Sequence, residues 1–194
     1  MHPRHSRQAK DRKLTGFLRV IVATVLAIAV AGCEQPPVNR DGTNPLTTVA
    51  KVELERYLGR WYEVARYENS FEKGCVGVTA TYSRNADGSI KVVNLCRKGT
   101  MTGPQDVAEG RATVADPATN AKLSVSFFWP FTGDYWVIGL ADDYSWALVG
   151  EPSGRYLWIL SRAPQLTPEL RADLIAKLQS QGYNTNALYW TPQS

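Results

Sequence analysis

Short runs in which apolar and polar residues alternate fill the chain from residue 61 to residue 161. In the clearest run, residues 122–127, leucine, valine and phenylalanine alternate with lysine and serine. A period of two is typical of a β-strand with one face buried. Turn residues such as Asp116-Pro117 and Pro130 separate the runs. The pattern predicts strands at 61–67, 76–83, 90–95, 107–115, 123–127, 135–140, 146–149 and 156–161.

These consecutive strands, joined by short turns, predict an all-β fold: an eight-stranded antiparallel up-and-down β-barrel. The interior of such a barrel can hold one small ligand. A β-sandwich built from the same strands is the alternative that the pattern leaves open.

The apolar period changes from two to about 3.6 after the last strand, which predicts one C-terminal α-helix. Thr167 is its predicted N-cap, Pro168 occupies the first helical position, and Gly182 ends it. The apolar stripe consists of Leu170, Leu174, Ile175 and Leu178. We expect this stripe to pack on the outside of the barrel, against Leu157 and Ile159 of the last strand.

The start of the chain has the pattern of an export signal. A basic segment precedes an apolar run from Val20 to Val30, which is too short for a comfortable membrane span of about 20 residues. Small residues then lead to Cys33. This order resembles the bacterial lipobox, in which the cysteine becomes the acylated first residue and carries chains such as palmitate. An ordinary secretory signal with an incidental cysteine is the alternative.

The expected organisation is therefore a lipoprotein signal peptide over residues 1–32, a lipidated cysteine and flexible tether over 33–50, and one domain over 51–194. Pro36, Pro37 and Pro45 lie among polar residues in the predicted tether. Glu34 favours the outer membrane over the inner membrane, because the resemblance links inner-membrane retention to an aspartate at that position. We expect a lipid-anchored protein of the outer membrane that faces the periplasm.

Removal of the signal changes the charge of the chain. The full sequence carries 22 basic and 18 acidic residues, a net charge of +4. Six basic residues and one acidic residue precede Cys33, which leaves 16 against 17 in the mature chain. No basic block remains there, so nucleic acid is not an expected partner.

The mature chain also lacks histidine, since His2 and His5 both lie in the signal. This composition argues against Ser-His and Cys-His catalysis and against histidine-ligated metal or haem. The expectation is a protein that is not an enzyme and needs no cofactor.

The two other cysteines, Cys75 and Cys96, flank a predicted hairpin with a turn at residues 85–88. Their midpoint lies beside that turn, so they fall nearly opposite each other on paired strands. In an oxidising compartment this arrangement predicts a structural disulfide, with a redox-active pair as the less favoured alternative.

Three sequence motifs in order resemble the lipocalin family, in the form found in bacterial outer-membrane lipoproteins. The first is Gly59-x-Trp61, within Gly-Arg-Trp-Tyr-Glu. The second is Asp143-Tyr144, preceded by aspartate where the family usually has threonine. The third is Arg162, directly after the last strand. The match extends over about residues 53–192 and implies an eight-stranded barrel in which Arg162 stacks on Trp61 at the closed end.

The resemblance and the aromatic content together predict a binding protein for amphipathic lipids, either fatty acids or lysophospholipids. Trp136, Tyr156 and Trp158 lie on barrel strands and are the predicted ligand neighbours. Glu63 is either a solvated carboxylate on the strand or a polar group at the ligand.

Two other classes of function remain open from the sequence: an envelope structural or interaction protein without a dedicated ligand, and a lipocalin-fold enzyme. The oligomeric state is not indicated by the sequence.

Overall fold

A computed structural model describes residues 35–193, so the predicted signal peptide and Cys33 lie outside the described residues. Between Gln35 and Ser194 the chain forms one compact unit. The strands are β1 (Gly59–Tyr67), β2 (Cys75–Arg84), β3 (Ile90–Lys98), β4 (Gln105–Val114), β5 (Lys122–Phe128), β6 (Phe131–Leu140), β7 (Trp146–Gly150), β8 (Leu157–Ser161) and β9 (Leu188–Trp190).

Strands β1 to β8 close into an antiparallel barrel. Each pairs with the next along the chain, and β1 pairs with both β8 and β2. The predicted barrel is therefore confirmed, and the β-sandwich is wrong. Strand β9 was not predicted; it pairs with the second half of β1, where β2 no longer does so.

The alternation along the strands produces two apolar clusters. The inner cluster fills the lower barrel and includes Trp61, Val137, Val149 and Leu160. The outer cluster lies between the barrel and the C-terminal helix α2 (Pro168–Ser180), and includes Leu157, Ile159, Leu174 and Leu178. Thr167 Oγ1 accepts a hydrogen bond from Leu170 N (3.2 Å), so α2 begins with the predicted cap.

A short helix, α1 (Leu54–Tyr57), precedes β1 and covers one end of the barrel. We call this the closed end. The β1–β2, β3–β4, β5–β6 and β7–β8 connections all lie at the opposite end, because the strands are antiparallel, and we call this the open end. In the described part of the chain, no helix has the length and apolarity needed to cross a membrane.

The predicted flexible tether needs correction, because residues 36–50 lie along the domain. Asn39 N donates to Gly154 O (2.9 Å), Asp41 N to Gly182 O (2.8 Å), and Val49 N to Val137 O (3.0 Å). Leu46 packs against the outer cluster. The composition that suggested a tether instead supports an extended segment whose backbone groups are bonded to loops.

The predicted disulfide between Cys75 and Cys96 is present, with the Cα atoms 5.4 Å apart. It joins β2 to β3 at the open end. Together with Val78 the two cysteines form a small buried cluster.

Candidate ligand-binding site

The closed end is a hydrogen-bonded plug built around Trp61. Trp61 is fully buried, and its indole N–H donates to Tyr57 O (2.8 Å). The Arg162 guanidinium lies over the Trp61 ring, 3.7 Å from its centroid. It also donates to the carbonyl oxygens of Arg60 (2.7 Å) and Leu58 (2.9 Å). Arg162 therefore ties the last strand to α1 and β1 and satisfies carbonyls that a helix end leaves free.

Gly59 makes this plug sterically possible. Its φ of 90° lies in the left-handed region that side-chain-bearing residues avoid.

The β6–β7 loop, with the second motif, holds α1 from the other side. Tyr144 Oη accepts a hydrogen bond from Glu53 N (2.8 Å), and the Arg56 guanidinium lies 4.1 Å from the Tyr144 ring centroid. Asp143 accepts from Ser145 N (2.9 Å), which keeps the loop turned. The side-chain hydroxyl of Ser145 and this backbone hydrogen bond lower the pKa of Asp143. Both motif residues stabilise the plug: Tyr144 is buried in the inner cluster, whereas Asp143 is exposed.

Above the plug lies an apolar lower cup that the surrounding side chains nearly fill. Its lining residues are Val52, Leu54, Tyr57, Leu58, Tyr82, Ile90, Ala112, Leu123, Val125, Tyr135 and Val137. The three tyrosine rings crowd the cup, so its free space admits about one water molecule.

The tyrosine hydroxyls form a cluster within this cup. Tyr135 Oη is 2.8 Å from Tyr57 Oη and 3.0 Å from Tyr82 Oη. These two hydrogen bonds use two of the three hydroxyl hydrogens, so one remains available to an acceptor in the cup. Burial raises the pKa of all three tyrosines, to about 12 for Tyr82, and they stay neutral at physiological pH.

The upper barrel has a charged wall that carries Glu63 and Arg66. Both side chains are almost fully buried, and Arg66 Nη1 donates to Glu63 Oε1 at 2.8 Å. Thr191 Oγ1, directly after β9, donates to the same oxygen (2.6 Å). Arg66 Nε is buried without a partner. Glu63 is thus a buried interior group, not a solvated carboxylate.

The β1–β2 loop adds a second carboxylate, Glu72, to this wall. Arg66 Nη2 donates to Glu72 O (3.0 Å), and the indole N–H of Trp158 donates to Glu72 Oε2 (3.1 Å). Burial raises the pKa of Glu63 well above its ordinary value; Glu72 raises it further, while Arg66 and Thr191 oppose the rise. One arginine therefore faces two interior carboxyl groups, and the loop that carries Glu72 is held by bonds that a ligand can replace.

An aromatic stack leads from this wall to solvent. Trp158 lies against Tyr156, with ring centroids 5.9 Å apart and planes within 6°, and Tyr156 in turn stacks on Phe71 at 5.9 Å. Trp158 and Leu160 belong to the inner cluster, as their shared parity with Arg162 predicts. Trp158 and Tyr156 thus lie at the mouth, where they were expected to meet a ligand.

Trp136 is placed differently from the prediction. It packs in the outer cluster, and Lys122 Nζ lies 4.1 Å from its ring centroid. Its strand neighbours Tyr135 and Val137 line the lower cup instead. The parity of β6 therefore directs Trp136 outward, away from the barrel interior.

The interior is unfilled on the side opposite the charged wall. The register pairs Ala108 of β4 with Asn94 of β3, on the face that also carries Val92 and Ala112 of the inner cluster. Ala108 is nevertheless exposed, and Asn94 Oδ1 is buried without a hydrogen-bond partner. The upper barrel is therefore an open cup whose wall offers an unused acceptor.

Sequence reasoning missed Arg66, Glu72 and the tyrosine cluster. Arg66 shares a face with Trp158 only because β1 has an irregularity between Glu63 and Ala65, which the residue pattern does not reveal. Tyr82 and Tyr135 do fall at inward parity on predicted strands, and that signal was available.

Comparisons with known proteins agree with this architecture. A model of the Lipocalin-like domain matches residues 52–193. The outer membrane lipoprotein Blc of Escherichia coli K12 is 39% identical over 179 residues, covering 91% of this chain and 97% of that protein. Temperature-induced lipocalin-1 of Arabidopsis thaliana is 42% identical over 158 residues, covering 77% and 83%. Bovine apolipoprotein D is 34% identical over 152 residues, covering 74% and 72%.

Solved structures show the same fold at lower identity. Insecticyanin from the tobacco hornworm Manduca sexta superposes with a TM-score of 0.63 at 19% identity, covering 78% of this chain and 86% of the other.

Proposed function

Because the chain belongs to the lipocalin family, we propose that it is a non-catalytic, membrane-anchored protein that binds fatty acids or lysophospholipids in the cell envelope. The observation that carries this proposal is the two-part interior. The open cup offers space for an acyl chain above the apolar, tyrosine-lined floor, and the charged wall carries Arg66, Glu63 and the Trp158 indole N–H for a polar head.

The anchor in this proposal is an acylated Cys33. The Escherichia coli relative is named an outer membrane lipoprotein, and the alignment with it covers 91% of this chain. Replacement of Cys33 by alanine should leave an unprocessed or soluble protein. Normal fractionation of that variant with the outer membrane would contradict the proposal.

Binding is tested by titration with saturated fatty acids of increasing length, measured by native mass spectrometry and by displacement of a fluorescent fatty acid. Ten buried CH₂ groups contribute about 8 kcal/mol in total. Association and ordering of the chain subtract several kcal/mol, so we expect roughly micromolar affinity.

A matched pair of variants on β4 locates the ligand. Ala108→Trp places a large ring on the inner face of the open cup, whereas Val107→Trp places the same ring on the adjacent outward position. We expect Ala108→Trp to abolish binding and Val107→Trp to leave it unchanged. Equal affinity of both variants would exclude the barrel interior as the site.

The tyrosine cluster sets the floor of the site. Affinity should rise with chain length and level off when the chain reaches Tyr57, Tyr82 and Tyr135. Tyr135→Ala removes the central ring and should move the plateau to longer chains; Tyr189→Ala, beside Arg66, removes a ring away from the floor and should not. If no chain length binds to an intact barrel, the alternative of an envelope interaction protein without a ligand takes precedence.

A further inference from the structure

Large hydrophobic side chains are exposed at only one end of the molecule, as far as residues 35–193 show. They lie on the β1–β2 loop, at the start of β4, at the β5–β6 turn and beside the β7–β8 loop. These residues are Val38, Phe71, Val107, Phe128, Trp129 and Phe131. All of these places belong to the open end, so the closed end exposes no comparable residue within that range.

The β5–β6 turn is the most prominent part of this surface. Phe128, Trp129 and Phe131 are exposed by 80%, 86% and 76% of their surface. We call residues 128–131 the aromatic tip. The sequence from 123 to 133 contains no charged residue, so the tip is apolar without a flanking basic or acidic group. Contiguous exposed apolar side chains of this kind mark an interaction surface.

The position at which the chain leaves the domain identifies what covers this surface. Arg155 Nη1 donates to Pro36 O (2.5 Å), and Asn39 N bonds to Gly154 O, so residues 36–39 lie on the β7–β8 loop at the open end. Cys33 precedes Pro36 by three residues, which span at most about 11 Å. An acyl anchor on Cys33 therefore holds a bilayer close to the open end and not to the closed end.

We propose that the aromatic tip, assisted by Phe71, inserts into the interfacial region of a lipid bilayer, so that the mouth of the barrel faces the membrane. Aromatic rings favour this region, where apolar and polar surroundings meet. Lipids then pass between bilayer and barrel along Phe71, Tyr156 and Trp158 without crossing bulk water. The orientation rests on the proposed anchor, whereas docking of the tip rests only on the exposed residues.

Orientation is tested with the acylated mature protein in phosphatidylcholine vesicles. Its other thiols are acylated or in the disulfide, so Thr132→Cys beside the tip and Ala86→Cys at the closed end each accept one environment-sensitive dye. We expect a blue shift and quenching by brominated acyl chains for the dye at residue 132 and neither for the dye at residue 86. Equal responses of the two dyes, or a response only at residue 86, overturn the proposal.

Docking is tested separately with the unacylated chain that begins at Glu34, which retains the compact unit. Replacement of Phe128, Trp129 and Phe131 by serine should lower partition into vesicles by about tenfold or more. The control replaces Glu55 and Arg84, an exposed ion pair at the closed end, by serine, which keeps the net charge. It should partition like the wild type. Thermal melts check that both variants fold.

The uncharged tip also predicts that docking depends little on salt or on anionic lipid. Equal partition of all three proteins, or partition that requires anionic lipid and vanishes at high salt, contradicts docking by the tip. Fatty-acid titration of the serine variant separates docking from the proposed function. Retained fatty-acid binding with lost partition shows that the aromatic tip acts in docking alone.

Discussion

The two ends of the barrel both pair an arginine with an aromatic ring, but they use the arginine differently. At the closed end, Arg162 lies over Trp61 and donates to backbone carbonyls, which carry no charge and do not titrate. At the open end, Arg66 lies 4.6 Å from the Tyr189 ring centroid. It donates to the carboxylates of Glu63 and the half-exposed Glu68, to a hydroxyl and to one backbone carbonyl.

This difference separates a permanent structure from an exchangeable one. Arg162 bonds to backbone carbonyl oxygens, whose positions the fold fixes, so a ligand from solution does not readily replace these bonds. Around Arg66, the carboxyl groups of Glu63, Glu68 and Glu72 face one buried cation whose Nε is unpaired, so a ligand head can rearrange the bonds of this wall. The closed end is therefore the part that we expect to carry stability, and the open end is where the proposed ligand exchange takes place.

The largest expected effect comes from removal of the two tryptophans in turn. Trp61→Ala deletes a fully buried ring from the plug and should cost about 4 kcal/mol of unfolding free energy. Trp158→Ala removes a half-buried ring at the mouth and should cost about 1–2 kcal/mol while weakening fatty-acid binding. Urea denaturation and ligand titration of both variants measure the contrast. A larger stability loss for Trp158→Ala would reverse our assignment of the two ends.

The second effect concerns the disulfide, which stabilises the open end although the other contacts there are expected to be exchangeable. The bond joins residues that are 21 apart in sequence, and removal of both cysteines as Cys75→Ala/Cys96→Ala should cost about 3 kcal/mol. In the wild-type protein, thiol titration of the unfolded, unreduced mature chain should detect no free thiol at residues 75 and 96. Two reactive thiols there would contradict the bond.

The sequence predicted the regular part of this molecule and missed the irregular part. The eight barrel strands and α2 follow from periodicity and from Thr167 and Gly182, because each repeats a local pattern over several residues. Strand β9 has only three residues, and its pairing with β1 depends on the point where β2 separates from β1. No local pattern encodes such a separation.

The site was predicted less completely for the same physical reason. Trp158 follows from the parity of β8, and Glu63 was weighed as a ligand-side group. Trp136 was misassigned because register decides which face a residue occupies, and a shift of one residue reverses it. Arg66 and Glu72 meet through an irregularity in β1 and through a loop, and both depend on tertiary structure.

The third effect is a loss at the closed end when Arg162 is changed. Arg162→Ala removes the stacking on Trp61 and the bonds to the carbonyls of residues 56, 58 and 60, and should cost about 2 kcal/mol. Arg162→Lys retains the charge but loses the planar fork, so it should recover less than half of the loss. Fatty-acid affinity should not change in either variant. Full stability of Arg162→Ala would show that the bonds of this guanidinium contribute nothing to the plug.

The smallest expected effect is a pH dependence that comes from the buried Glu63 at the open end. Because the pKa of Glu63 is raised in the folded protein, the folded state holds a proton that the unfolded chain releases more easily. The contribution of Glu63 to stability is therefore fully present below the ordinary pKa of a glutamate and is lost as the pH rises through the folded-state pKa. Glu72→Gln removes the second carboxylate and keeps an oxygen that can accept from Trp158. The fall in unfolding free energy as the pH rises above the ordinary pKa of a glutamate should then shrink, by on the order of 1 kcal/mol, since a change of one pKa unit corresponds to about 1.4 kcal/mol. Burial remains the main cause of the raised pKa, so part of the fall should persist.

Asp143→Asn at the closed end is the matched control and should leave the Glu63-dependent fall in place, since Asp143 lies outside the interior and its own pKa is lowered by Ser145. A pH profile of stability that is identical in Glu72→Gln and the wild type would show that the two interior carboxyl groups are not coupled, and the open end would then lose its electrostatic distinction from the closed end.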